Sequence, residues 1–226
     1  MPPNPPLSWP PDAATLRSRF RAIPKNLRDA HQPFCIRVWR AVSWLERAEN
    51  AAKDDLEGRF ISAWIGFNAL YGQLDNDGQP WGDREARSTF LARIGKLDAN
   101  GGLPRIMKKR QLLIFRTIED KYLSQRFWMQ GASAAKQVKR ELRDAMTWID
   151  TPKLPRVLQM LFDRLYVLRN QLLHGASTKG SSLNRRPLRE CGNLLAELLA
   201  VMLVVMIEQG VATDWGRVCF APDGPQ

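Results

Sequence analysis

Between Leu194 and Ile207 fourteen consecutive residues carry a single charge, Glu197, and every other side chain in the run is apolar. A helix that is apolar on nearly all sides has to be enclosed by other elements or by lipid. The run falls short of the roughly 20 residues that a bilayer crossing needs. It is therefore expected to be a buried core helix, and the rest of the chain has to supply its surroundings.

The remaining segments repeat their apolar residues at helical spacing, punctuated by proline and glycine, and no convincing run alternates apolar with polar residues. The sequence predicts an all-α fold. Asp12 is placed to cap a short first helix. A second begins near Pro33, with Ile36, Trp39, Arg40, Ser43, Trp44 and Arg47 dividing between an apolar and a charged side. Asp54 and Glu57 stand three apart like an acidic capping box before the apolar segment Phe60 to Tyr71, which Gly72 is suited to end in a left-handed cap. Further helices are expected from Asp83 to about Leu97 and, as one or two amphipathic segments, within the basic stretch Arg105 to Arg143. Another runs from about Pro155 to His174, with Leu158, Leu161, Leu165, Leu168 and Leu172 as its stripe. The last is opened by Pro187 and reaches about Gln209. The expected organisation is a flexible proline-rich arm over 1–11, a single helical domain over 12–212 and an irregular tail over 213–226.

The chain has 226 residues, enough to bury a full core without cross-links. Its three cysteines, Cys35, Cys191 and Cys219, are far apart and do not cluster with histidine. That spacing argues against a zinc site and a secreted cystine scaffold, and it fits the reducing cytoplasm. Residues 1–11 lack the basic and apolar regions of a signal peptide, and no membrane association is expected. No glycine-rich phosphate loop and no nucleophile elbow is present.

A net charge of +11 suits a polyanionic partner, because clustered cations release counterions from phosphate backbones. Lys108, Lys109 and Arg110, and beyond them Lys179, Arg185 and Arg186, are the candidate RNA contacts. Judged alone, the basic middle reads as a solvated helix surface ahead of a dedicated RNA track. The neighbouring Phe127 and Trp128 suit core or interface packing, with base stacking as the other role open to them.

The two histidines can be weighed singly. His31 stands two residues before Pro33 in an expected loop without catalytic-looking neighbours. His174 ends the segment Arg169-Asn170-Gln171-Leu172-Leu173-His174 beside a basic loop. On an ideal helix Asn170 and His174 share a face, whereas Arg169 and His174 lie about 140° apart around the axis. One straight helix does not aim both at one phosphate unless its last turn distorts or a second chain completes the site at a two-fold interface. A histidine that satisfies helix-terminal carbonyls is the other reading of His174.

The segment from Arg169 to His174 resembles the R-x(4–6)-H motif of HEPN domains, in which a polar residue such as Asn170 commonly follows the arginine. Phe60 to Gly72 is similar to the earlier apolar helix of the Apea-like HEPN branch, and the two segments stand in the expected order. The resemblance implies a HEPN-like helical bundle with additional helices, a homodimer with a composite active site, and a metal-independent endoribonuclease that needs no cofactor. In that chemistry the 2′-hydroxyl of RNA attacks the adjacent phosphorus. His174 moves the proton, Arg169 holds the phosphate oxygens, and Asn170 orients His174 or binds the phosphate. Asn68 either supports this site or is a buried amide bonded to a neighbouring helix. A toxin, defence or stress-response role with an antitoxin or regulatory partner follows from the same resemblance. The alternatives are a non-catalytic HEPN module that binds RNA or a protein, and a helical adaptor with a basic face for an acidic protein.

Overall fold

The long apolar helix organises the molecule. In a computed structural model describing residues 9–176 and 185–221, α11 (Arg185–Gln209) buries Leu194, Leu195, Leu198, Leu199, Val201 to Leu203 and Met206 at once. By length and composition α11 is also long and apolar enough to cross a membrane, and 72% of its most apolar window is buried inside the fold. It packs most closely against α3 (Gln32–Glu49) and α4 (Leu56–Tyr71), which also pack against each other. The described residues are overwhelmingly helical, as the apolar periodicity predicts.

The smaller helices close this centre. α1 (Ala13–Ala22) lies on α3 and α11, and α2 (Lys25–Ala30) leads from it into α3. α5 (Asp83–Leu97) packs on α4, α11 and α10 (Leu154–Leu173), while α6 (Gly102–Lys109) lies on α11. The basic middle is more divided than its periodicity suggests. It contains α6, α7 (Gln111–Glu119), a 3₁₀ turn at Lys121–Leu123, α8 (Gln125–Gln130) and, after a second 3₁₀ turn, α9 (Ala135–Trp148).

Local chemistry explains several boundaries. Asp12 caps α1 by accepting the Thr15 amide at 2.8 Å. α4 is capped by Asp55 rather than Asp54, with the Gly58 amide 2.9 Å from its carboxylate. Gly72 is extended (φ −59°, ψ 124°) instead of left-handed, because the chain goes straight into strand β1 (Gln73–Leu74). β1 pairs antiparallel with β2 (Arg217–Val218), so the segment 213–226, expected to be irregular, contributes a strand.

Arg37 explains that docking. It is fully buried and donates to the carbonyls of Leu70, Gly72, Gly216 and Arg217 at 3.1, 2.5, 3.2 and 3.2 Å. Burial lowers its pKa to about 10, which leaves the guanidinium charged at neutral pH. The arm expected to be flexible is also anchored at its end, where Trp9 packs on the core with the Arg105 guanidinium 4.1 Å over its ring.

Candidate functional site

α10 carries the residues singled out for chemistry, and two buried arginines fix it from opposite sides. Arg164, on α10 itself, donates to the Ile118 carbonyl at 3.1 Å and to Glu141 at 2.5 Å, tying α10 to α7 and α9. On the other side Arg87 of α5, 2% exposed, reaches Asp83 at 3.0 Å and Asp163 of α10 at 2.9 Å. Its guanidinium also stands 4.7 Å over the Tyr166 ring. The Tyr71 hydroxyl donates to Asp83 at 2.5 Å, and burial followed by that carboxylate pushes the phenol well above its ordinary pKa. These contacts fasten α10 to α5, α7 and α9 ahead of its last turns.

Arg169 lies one turn beyond Tyr166, with its guanidinium 5.9 Å over that ring. It donates to the Asn170 side-chain carbonyl at 2.9 Å. It forms no ion pair with any described residue, and its buried Nε has no hydrogen-bond partner. Arg169 and Asn170 are thus brought together as a unit, with Asn170 turned to Arg169.

His174 is the C-cap of α10 and is exposed. Its backbone amide still bonds the Asn170 carbonyl at 2.9 Å, so the last turn keeps its helical course. Among the described residues no hydrogen bond joins the His174 side chain to Arg169 or Asn170. On a regular helix the two key side chains stay about 140° apart, and the local distortion that would unite them within one chain is absent. The two side chains therefore leave α10 on different sides.

Asn68 is exposed, which rules out the buried amide. It lines an open groove of about 370 Å³ with Arg40, Trp44, Tyr71, Asp83 and Phe220. The groove shares Tyr71 and Asp83 with the network beneath Arg169, yet no hydrogen bond among the described residues joins Asn68 to Arg169, Asn170 or His174.

The candidate RNA contacts are scattered and mostly engaged. Lys108 pairs with Asp150 at 2.5 Å, Lys109 donates to the Trp9 carbonyl at 3.2 Å, and Arg110 forms a two-pronged pair with Glu197. These three adjoin the start of α7, whereas the segment leading to α10 leaves from its other end, about 13 Å away along the helix. Arg186 pairs with Glu190 at 3.3 Å, Arg185 is half-buried at the start of α11, and Lys179 lies outside the described residues.

Other exposed cations of the basic middle, which were not among the candidate RNA contacts, stand nearer α10: Lys121, Arg126, Lys136, Lys139 and Arg143. Their signal was the scarcity of acids around them, for residues 121–143 hold six Lys or Arg and one acid, Glu141, which is occupied by Arg164. Among the described residues no three His, Cys, Asp or Glu side chains gather as a metal-ligand group. Burial drives the Cys191 thiol up to about 12, against the lowering effect of its contact with Thr117, and makes it a poor nucleophile. Compared with protein-family models, with curated proteins and with solved structures, the chain matches none.

Proposed function

We propose that this protein is a metal-independent endoribonuclease of the HEPN type, acting as a cytoplasmic homodimer whose site is completed by residues of both copies. The observation that carries the reading is the end of α10. There an arginine without a carboxylate partner among the described residues sits with Asn170, and the exposed His174 follows within two turns. The buried arginines Arg37, Arg87 and Arg164 are engaged by backbone carbonyls or carboxylates, whereas among the described residues Arg169 meets the neutral Asn170 side chain and the Tyr166 ring and no carboxylate, which supports a role in holding an anion.

The chemistry needs no further group. The 2′-hydroxyl oxygen attacks the neighbouring phosphorus as its proton leaves, and the bond to the 5′-oxygen breaks as that oxygen gains a proton. The products are a 2′,3′-cyclic phosphate and a 5′-hydroxyl. His174 exchanges one of these protons and water the other. Arg169 balances the charge that builds on the phosphoryl oxygens, and the Asn170 amide nitrogen can donate to the same oxygens. An RNA-cutting activity of this kind fits a toxin, defence or stress-response role under the control of an antitoxin or regulatory protein.

The test is cleavage of mixed RNA by the purified protein in excess EDTA, with end analysis. The parent is expected to yield cyclic phosphate ends. His174→Ala should lower the rate at least a hundredfold, at the low end for loss of a proton-transfer group, with its helical circular dichroism unchanged. Equal cleavage by the two proteins would remove His174 from the reaction. Absence of cleavage by either would leave a binding module.

A further inference from the structure

Beside the end of α10 lies a cluster of rings that the cleavage reading does not use. Trp128 is 60% exposed and Tyr122 49% exposed, with the half-buried Phe127 between them. Phe127 meets Tyr122 at 5.4 Å and Trp128 at 5.6 Å, both edge to face. Met129, 75% exposed, extends the apolar surface. A soluble fold rarely leaves an indole and a phenol side by side in water without a use for them.

Two features show that these rings are held in place. The indole N–H of Trp128 donates to the Tyr122 carbonyl at 2.8 Å, and the Lys121 ammonium lies 4.9 Å over Tyr122 and 5.4 Å over Phe127. The same Tyr122 carbonyl accepts the Gln171 side-chain amide at 2.8 Å. One oxygen therefore links the indole to α10 three residues before His174, and Gln171 and His174 differ by about 60° around the helix. The rings and the histidine belong to one side of α10, whereas Arg169 points toward Tyr166 and α5.

The surroundings select the occupant. Lys121 and Arg126 flank the rings and Lys136 and Lys139 follow on α9, all exposed. Of the acids nearby, Asp120 accepts the Tyr122 amide, Glu141 is engaged by Arg164 and Asp144 pairs with Arg140, while Glu119 is exposed, so cations remain in excess. A second copy laid ring to ring on this face would bring the same excess of positive charge against it, whereas an unpaired nucleic acid strand brings stackable bases and phosphates together. We propose that Tyr122 and Trp128 form a stacking platform for unpaired bases of single-stranded RNA, holding the strand beside His174. This rests on RNA being the substrate, and it gives that substrate a form: single-stranded, read by stacking and charge with little regard to sequence.

The probe is a 2′-O-methyl oligoribonucleotide carrying 2-aminopurine, which cannot be cut because it lacks free 2′-hydroxyls. Binding is read by anisotropy and stacking by quenching of the base. The parent is expected to bind and quench. Trp128→Ala should weaken binding about five- to hundredfold and remove most quenching, and Trp128→Phe should recover much of both. Trp128→Gln, which keeps a donor for the Tyr122 carbonyl but no ring, should behave like the alanine variant and guards against misfolding. Equal binding and quenching by parent, Trp128→Ala and Trp128→Gln would overturn the platform, as would a parent that does not bind. So would a parental dimer that Trp128→Ala splits without change in probe affinity, since the face would then join two copies. Cleavage is scored separately. Trp128-dependent binding without RNA cleavage keeps the platform and rejects the nuclease, and cleavage with Trp128-independent binding does the reverse.

Discussion

Asp12 shows how much one side chain contributes where its geometry is complete. Hydrogen bonding to Thr15, through the side chain first and the backbone second, holds its carboxyl below the ordinary aspartate pKa. A group whose folded pKa is depressed stabilises the fold at pH above its unfolded pKa, and that contribution is lost as pH falls through the folded value. Asp12→Ala is therefore expected to lower stability by about 1 kcal/mol at neutral pH, with the difference from the parent closing at acid pH, below about 4. Urea unfolding of both proteins at two pH values measures this, and a gap that persists in acid would show that the carboxylate's charge is not involved. Comparable precision is not legible for the arginines. Arg87 and Arg169 are both helix residues in the sequence, yet one meets a carboxylate 76 positions away and the other meets none among the described residues. That difference is made by tertiary packing, so the guanidinium without a carboxylate partner at the candidate site could not be recognised from spacing.

At the scale of elements, close helix contact is set by two glycines with opposite expectations. A Cβ on Gly66 of α4 would stand 2.7 Å from Leu199 of α11, 3.2 Å from the Ala41 carbonyl of α3 and 3.3 Å from Trp44. Gly66→Ala should destabilise by about 1–3 kcal/mol, since the backbone oxygen cannot give way. A Cβ on Gly192 of α11 would meet Phe60 at an ordinary 3.6 Å. There alanine is expected to be neutral or to stabilise by up to about 1 kcal/mol through helix propensity. Thermal unfolding of the two variants checks the pair, and similar losses in both would contradict the packing described for α3, α4 and α11. Such contacts are not written in the apolar pattern, although the pattern does place α5 and α10 within one or two residues. It misplaces the face of α3, where Trp39 is 47% exposed and Arg37 is buried. Tryptophan reads as core and arginine as surface until four carbonyls and two stacking arginines, Arg17 and Arg21 over Trp39, reverse them.

For the whole molecule the deciding geometry is the regular end of α10. Two side chains about 140° apart on a helix that does not distort face different ways, which favours a site shared between two copies. In a two-fold dimer the same surface occurs twice with opposite polarity, so Arg169 of one copy can meet His174 of the other. This arrangement has a consequence that a site within one chain does not share. Arg169→Ala and His174→Ala should each be inactive alone. A mixed dimer of the two holds one site with both residues removed and one site intact. If subunits exchange at random, half of the dimers are mixed and each has one working site of two. Recovery of about a quarter of parental RNA cleavage is therefore expected on mixing. Sedimentation of the mixture establishes that dimers form, and the cleavage rate then gives the answer. Mixed dimers without activity would place both residues in one chain's site and require α10 to bend at its end when RNA binds.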